Sequence, residues 1–177
     1  MQIRNIVYFV AAGAIALAGC GQPSAPARNA QKPDRPVLDP QTSVAGIRAA
    51  GAQFESAVEV HPLRDPAVEG LLKQAHEAEA QAQPAQALSD VRKALAIAPN
   101  SPDLLQYQAE LLIETGDWQQ GAASAQKSYE IGPKVGALCA RNLETLVQAR
   151  STLGDDSGAA QAREQAAGCK VPAAARY

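Results

Sequence analysis

The chain has 177 residues, 16 basic and 18 acidic side chains, a net charge of −2 and only 4% aromatic residues. That length suits one domain, and the absence of a basic stripe or of Arg interleaved with aromatics excludes nucleic acid as a partner. Alanine is abundant while alternating Val, Ile, Thr and Tyr are scarce, which excludes a strand-built core and predicts an all-α fold.

Arg4 and the amino terminus give a weakly positive start, and Ile6 to Ala18 then form a thirteen-residue apolar run followed by small residues. This is the layout of a secretory signal, and it falls short of the roughly 20 residues a helix needs to cross a bilayer. The run ends in Leu17-Ala18-Gly19-Cys20, which resembles the lipobox of bacterial lipoproteins. The resemblance implies a signal peptide over 1–19, lipid attachment to the Cys20 thiol, cleavage before Cys20 and acylation of the new amine. Gly21 stands where many such families carry the Asp that retains them in the inner membrane, so the implied location is the outer membrane, periplasmic face. Each buried methylene adds about 0.8 kcal/mol of membrane affinity, so several acyl chains make a nearly permanent anchor. An ordinary cleaved signal with a chance cysteine is the competing reading.

Residues 20–41 contain Pro23, Pro26, Pro33, Pro36 and Pro40 among small and polar side chains. Such a composition cannot bury a core and predicts a disordered tether, whose 21 residues after Cys20 reach roughly 65 Å when extended. Residues 42–62 come next. Val44, Ile47, Phe54 and Val58 form an apolar face at helical intervals. Ala50, Phe54, Ala57 and Pro62 add small–large–small–Pro spacing, and the segment is predicted to be a helix capping the open face of the helical unit that follows.

Pro99 and Pro133 lie 34 residues apart, and small residues recur at the same offsets, Ala87 with Gly121 and Ala94 with Ser128. This period resembles the tetratricopeptide repeat, in which two helices, A and B, cross where small residues allow close approach. The resemblance implies a short right-handed α-solenoid of about three hairpins over residues 63–172, with a tail at 173–177. Leu71, Ala75 and Ala78 match helix A of the first repeat, and Ala87, Val91 and Ala94 its helix B; its Ala and Gln, where larger residues are usual, predict loose packing. In the second, Leu105, Ala109 and Leu112 precede a Gly116-Asp117-Trp118 turn, with Ser101 expected as N-cap. In the third, Cys139, Leu143 and Leu146 begin a helix whose turn glycine, Gly154, comes about four residues late and adds roughly one turn.

Cys139 would open the first helix of the third hairpin and Cys169 end the second, side by side in an exported chain. A Cys139–Cys169 disulfide is therefore expected, with two buried apolar thiols as the alternative. No further Cys or His completes a metal site. His61 and His76 sit in no metal-ligand spacing, and no nucleophile elbow or phosphate-binding glycine loop occurs. The chain is therefore read as a non-enzyme without cofactors.

In the repeat family, helix A lines a binding groove. Carried over by position, the groove here comprises Glu69, Leu72, His76 and Glu79; Asp103, Gln106, Glu110 and Ile113; and Ala140, Glu144 and Val147. It reads as acidic with apolar spots, whereas Arg92, Lys93, Lys127 and Arg163 fall on B helices. The implied function is an anchored scaffold or assembly factor for an envelope machine, with a protein partner bearing basic and apolar side chains. An accessory of an envelope or peptidoglycan-acting enzyme, or an adaptor that holds exported chains, is the alternative; so is a set of acids that merely solvates the helices.

Overall fold

The computed structural model describes residues 38–54 and 64–170. The expected signal peptide, Cys20, most of the tether, the second half of the cap and the tail lie outside the described residues. Among those described, seven α-helices and one 3₁₀ turn make up the regular structure and no strand occurs. The fold is all-α, as expected. The helices are α1 (Pro40–Ala52), α2 (Pro66–Ala80), α3 (Pro84–Ile97), α4 (Pro102–Glu114), α5 (Trp118–Ile131), α6 (Gly136–Leu153) and α7 (Asp156–Ala166), followed by the turn Ala167–Cys169.

The starts of the helices follow from sequence. Helices α1 to α4 each begin with a proline in the first turn, where its missing N–H has no partner to lose. Asp39, Asp65, Asp117 and Asp155 cap α1, α2, α5 and α7 by accepting a backbone N–H. Ser101 stands at the N-cap position of α4, but its hydroxyl donates to the Asp103 carboxylate at 2.7 Å rather than capping an amide.

Helices α2–α3, α4–α5 and α6–α7 pair as hairpins, and α3 on α4 and α5 on α6 join each hairpin to the next. This is the stacking of a helical solenoid, in which each unit buries its apolar face against a neighbour. Helix α6 has 18 residues against 13 in α4, the extra turn expected from the late Gly154. The first hairpin is not loose. Ala75, Ala87, Val91 and Ala94 are all 0% exposed, because small side chains let α2 and α3 approach closely. Between α4 and α5 the same device operates at Gly121, where an added Cβ would come within 2.7 Å of Ile113 Cδ1. Cys139 and Cys169 are joined by a disulfide, their Cα atoms 5.6 Å apart, which ties the start of α6 to the end of the third hairpin.

All three hairpins turn in one way. Ala82, Gly116 and Gly154 adopt positive φ, at 56°, 85° and 87°. The next residue in each case donates its N–H to the carbonyl five positions back: Gln83 to Ala78, Asp117 to Leu112, Asp155 to Arg150. Glycine accepts this conformation freely, whereas alanine is strained there by its Cβ.

Helix α1 departs from expectation. Val44 and Ile47 are buried, as the apolar face required, yet α1 packs along α6 and α4 and reaches the first hairpin through the Arg48–Glu79 ion pair instead of capping it. The small residues of α1 permit the close approach to α6. A Cβ at Gly51 would lie 2.6 Å from Arg141 Cγ and 3.3 Å from the Ala137 carbonyl oxygen, and one at Gly46 would lie 3.1 Å from Gln148 Nε2. The small face thus fits α6 closely, and α1 lies against the first helices of the second and third hairpins instead of sealing the end of the stack.

Two stability measurements check these assignments. Ala82→Gly should raise the unfolding free energy by about 0.5–1 kcal/mol in urea titrations, and an unchanged or lower value would contradict the strained turn. Replacing both Cys139 and Cys169 by serine should remove about 3–4 kcal/mol, the chain-entropy value for a loop of about 30 residues.

Candidate functional site

Helix α4 carries the stripe from which the site is built. Asp103, Tyr107, Glu110 and Glu114 recur at three- to four-residue spacing and so share one side of the helix. Helix α2 supplies His76 and Glu79, α6 supplies Arg141 and Thr145, and α1 supplies Arg48.

Glu110 lies at the centre and is fully buried. Arg48 Nε donates to one carboxylate oxygen at 2.9 Å. The other oxygen takes Arg141 Nε at 2.8 Å, Arg141 Nη2 at 2.6 Å and Gln106 Nε2 at 3.0 Å. Gln106 also donates to the Thr145 hydroxyl at 2.9 Å, which in turn donates to the Arg141 carbonyl at 2.8 Å. A buried carboxylate is tolerable only when paired and hydrogen-bonded, and here three helices supply the donors.

The network continues outward through Arg48, which also meets Glu79 at 2.6 Å. Burial alone would lower the basicity of Arg48, but Glu110 and Glu79 outweigh it and hold the guanidinium charged. Glu79 accepts the Tyr107 hydroxyl at 2.8 Å, and His76 Nδ1 lies 3.2 Å from the same hydroxyl with its ring stacked on the tyrosine. Since that hydroxyl has one proton and gives it to Glu79, His76 Nδ1 is the donor in its own contact. Burial, then Glu79, pushes the Tyr107 phenol up. It is held protonated and is a fixed donor, not a nucleophile or base.

Arg48, His76, Glu79, Tyr107 and Arg141 border a cleft of about 310 Å³ between α1, α2, α4 and α6, lined also by Arg64, Leu72, Asp103 and Leu104. Arg64 pairs with Asp103 and lies 3.5 Å from Glu69. The structure therefore brings Leu72, His76, Glu79 and Asp103 together, with Glu69 exposed at the rim. Gln106, Glu110 and Ile113 are 0% exposed, covered in part by α1, and no partner meets them while α1 is seated. Ala140 and Val147 are buried within the core. Glu144 stands apart, bonded to Gln148 and bordering a separate groove between α1 and α6 that Arg163 also lines.

The expectation of an acidic groove is thus corrected, because Arg48, Arg64 and Arg141 all turn into it. One of these, Arg141, had a legible signal. Lys73, Tyr107 and Arg141 are spaced 34 residues apart, one position round from the groove set, so a slightly wider face would have included Tyr107 and Arg141. Arg48 and Arg64 carried no such signal, since each lies outside the repeat register.

No protein-family model matches the chain, and no curated protein matches its sequence at a significant level. Among solved structures, the globular C-terminal domain of P. aeruginosa LpoP is similar, with a TM-score of 0.54 and 30% sequence identity over 59% of this chain and 99% of that domain. The likeness extends over essentially the whole LpoP domain, in sequence as well as fold.

Glu114 gives the site a pH signature. One of its carboxylate oxygens is buried without a hydrogen-bond partner, and burial, then the charge of Glu79, raises its pKa above the ordinary 4.5. The folded chain therefore holds this proton to higher pH than the unfolded chain, and stability is lost as pH rises through the raised value. Glu114→Gln should raise the melting temperature at pH 8 and leave it nearly unchanged at pH 4; an equal effect at both would refute the assignment.

Proposed function

We propose that the chain is a lipid-anchored, non-catalytic interaction module of the cell envelope, held at the periplasmic face of the outer membrane by Cys20. The observation that carries this reading is the lipobox-like Leu17-Ala18-Gly19-Cys20 ahead of a helical domain similar to the globular C-terminal domain of P. aeruginosa LpoP. The chemistry of the cleft supports the non-catalytic part. Tyr107 is held protonated, Glu110 has its lone pairs filled by donors, and neither is available to attack or to move a proton.

Within that role, an accessory of a peptidoglycan-acting enzyme is favoured over an adaptor for exported chains. An adaptor for many unfolded sequences needs an open apolar groove, and here α1 fills part of the A-helix face while ion pairs line the remainder. A proline-rich tether of roughly 65 Å would carry the domain away from the lipid, toward machinery within the periplasm. The cleft offers arginines with partly exposed guanidiniums, Arg48 and Arg141, beside the acids Glu79 and Asp103, so the partner surface it fits is polar and of mixed charge.

A photo-crosslinking residue at position 76 of the anchored protein in cells should capture a single envelope protein, and the same probe at Lys93 on α3 should not. Equal capture from both positions would remove the cleft as the docking face. Cys20→Ser should shift the protein from the outer-membrane fraction to the soluble periplasm; retention in the membrane would refute the anchor.

A further inference from the structure

We propose that Arg48 and Arg141 together form the docking point for an acidic side chain, an Asp or Glu carried within a continuous segment of the partner protein. The proposal rests on the reading of the cleft as a docking face and names the charge that enters it. It is tested with defined peptides, so it can fail while that reading stands.

Two guanidiniums share one buried carboxylate. Arg48 and Arg141 take opposite oxygens of Glu110, with their Nε atoms at 2.9 and 2.8 Å, so the two cations are held side by side. Each commits Nε and Nη2 to Glu110 or Glu79, and among the described residues no acceptor meets either Nη1. Both side chains line the cleft and remain partly exposed, 41% for Arg48 and 32% for Arg141. A guanidinium donates and never accepts, so the pair offers an incoming group donors alone.

The wall of the cleft has the same sign. Three arginines, Arg48, Arg64 and Arg141, line it against two acids, Glu79 and Asp103, while Glu110 lies buried beneath. A basic side chain entering here finds Glu79 already holding Arg48 and the Tyr107 hydroxyl, and Asp103 holding Arg64. A carboxylate supplies the missing counter-charge and fills the spare donors, in the planar geometry that guanidinium forks favour. Internal pairs already hold both arginines in place, so docking orders little that was free.

The placement of the pair selects a side chain over a chain end. The cleft runs along α2 and α4, from Arg64 and Asp103 at the helix starts to Glu79 and Tyr107 further along, over a floor of Leu72 and Leu104. Arg64, Leu72 and His76 also border an adjoining hollow of about 470 Å³ that follows α2 past Lys73 to Ala80. Arg48 and Arg141 reach this path from its flank, on α1 and α6. A segment lying along the helices therefore meets the pair with a side chain, while its neighbouring residues cover the leucines.

The probes are acetyl-Ala-Leu-Glu-Leu-Ala-amide, its Gln counterpart, and acetyl-Ala-Leu-Ala with a free terminal carboxylate. Each is titrated into the isotopically labelled full-length chain in detergent, and the Nε–Hε signals of Arg48 and Arg141 are followed by NMR. The Glu peptide should shift both signals saturably and bind at least about tenfold more tightly than either other peptide. Arg48→Lys, which keeps the charge and loses the fork, should weaken the Glu peptide by at least about tenfold. No saturable shift at the arginines, or a smaller preference over the Gln or the free-terminus peptide, overturns the proposal. So does unweakened binding by a folded Arg48→Lys chain. Should that variant not fold, the three peptides on the unaltered chain decide.

Discussion

The fully buried carboxylate of Glu110 is the constraint on which the arrangement of helices depends. An ionised side chain removed from water is costly unless its partners are close and well aligned. Here those partners come from α1, α4 and α6. Ion pairs of this kind add little net stability compared with an apolar core, but they discriminate strongly between arrangements, since any helix placement that leaves Glu110 unpaired is penalised by several kcal/mol. The apolar contribution of α1 is modest, about 1.5–3 kcal/mol for each of Val44 and Ile47 when fully buried. Packing holds α1 on the domain, and the Arg48–Glu110 pair selects where.

The same network decides the character of the cleft. Because Glu110 and Glu79 take up Arg48, and Tyr107 gives its proton to Glu79, the polar groups in the cleft satisfy one another. A site organised in this way is rigid and presents a fixed pattern of donors and acceptors, which suits recognition of another surface. The likeness of the helical domain to the globular C-terminal domain of P. aeruginosa LpoP extends over both fold and sequence.

Much of the fold was legible in the sequence because it rests on local rules. Pro99 and Pro133 marked the repeat period, Gly116 and Gly154 marked turns, and the small residues at Ala87, Ala94, Gly121 and Ser128 marked where helices cross. The cysteine pair followed from its placement at the two ends of one hairpin. What escaped was non-local. Ala82 reads as an ordinary helical residue until the repeat register sets it opposite Gly116. The spacing of small residues in α1 fits a neighbour on either side, and nothing in it says that the neighbour is α6. The acids assigned to the groove lie on α2, α4 and α6, but whether an acid faces solvent or an arginine depends on a helix more than 50 residues away in sequence, as with Arg48 and Glu110. The register argument therefore predicted an open acidic surface where the protein has a closed, charge-paired one.

The most direct test of the account is a double-mutant cycle on Arg48 and Glu110, each changed to alanine singly and together, with unfolding free energy measured in urea. A specific pair that fixes α1 predicts a coupling energy of about 1.5 kcal/mol or more. Additivity to within about 0.5 kcal/mol, the behaviour of residues that do not interact, would contradict it.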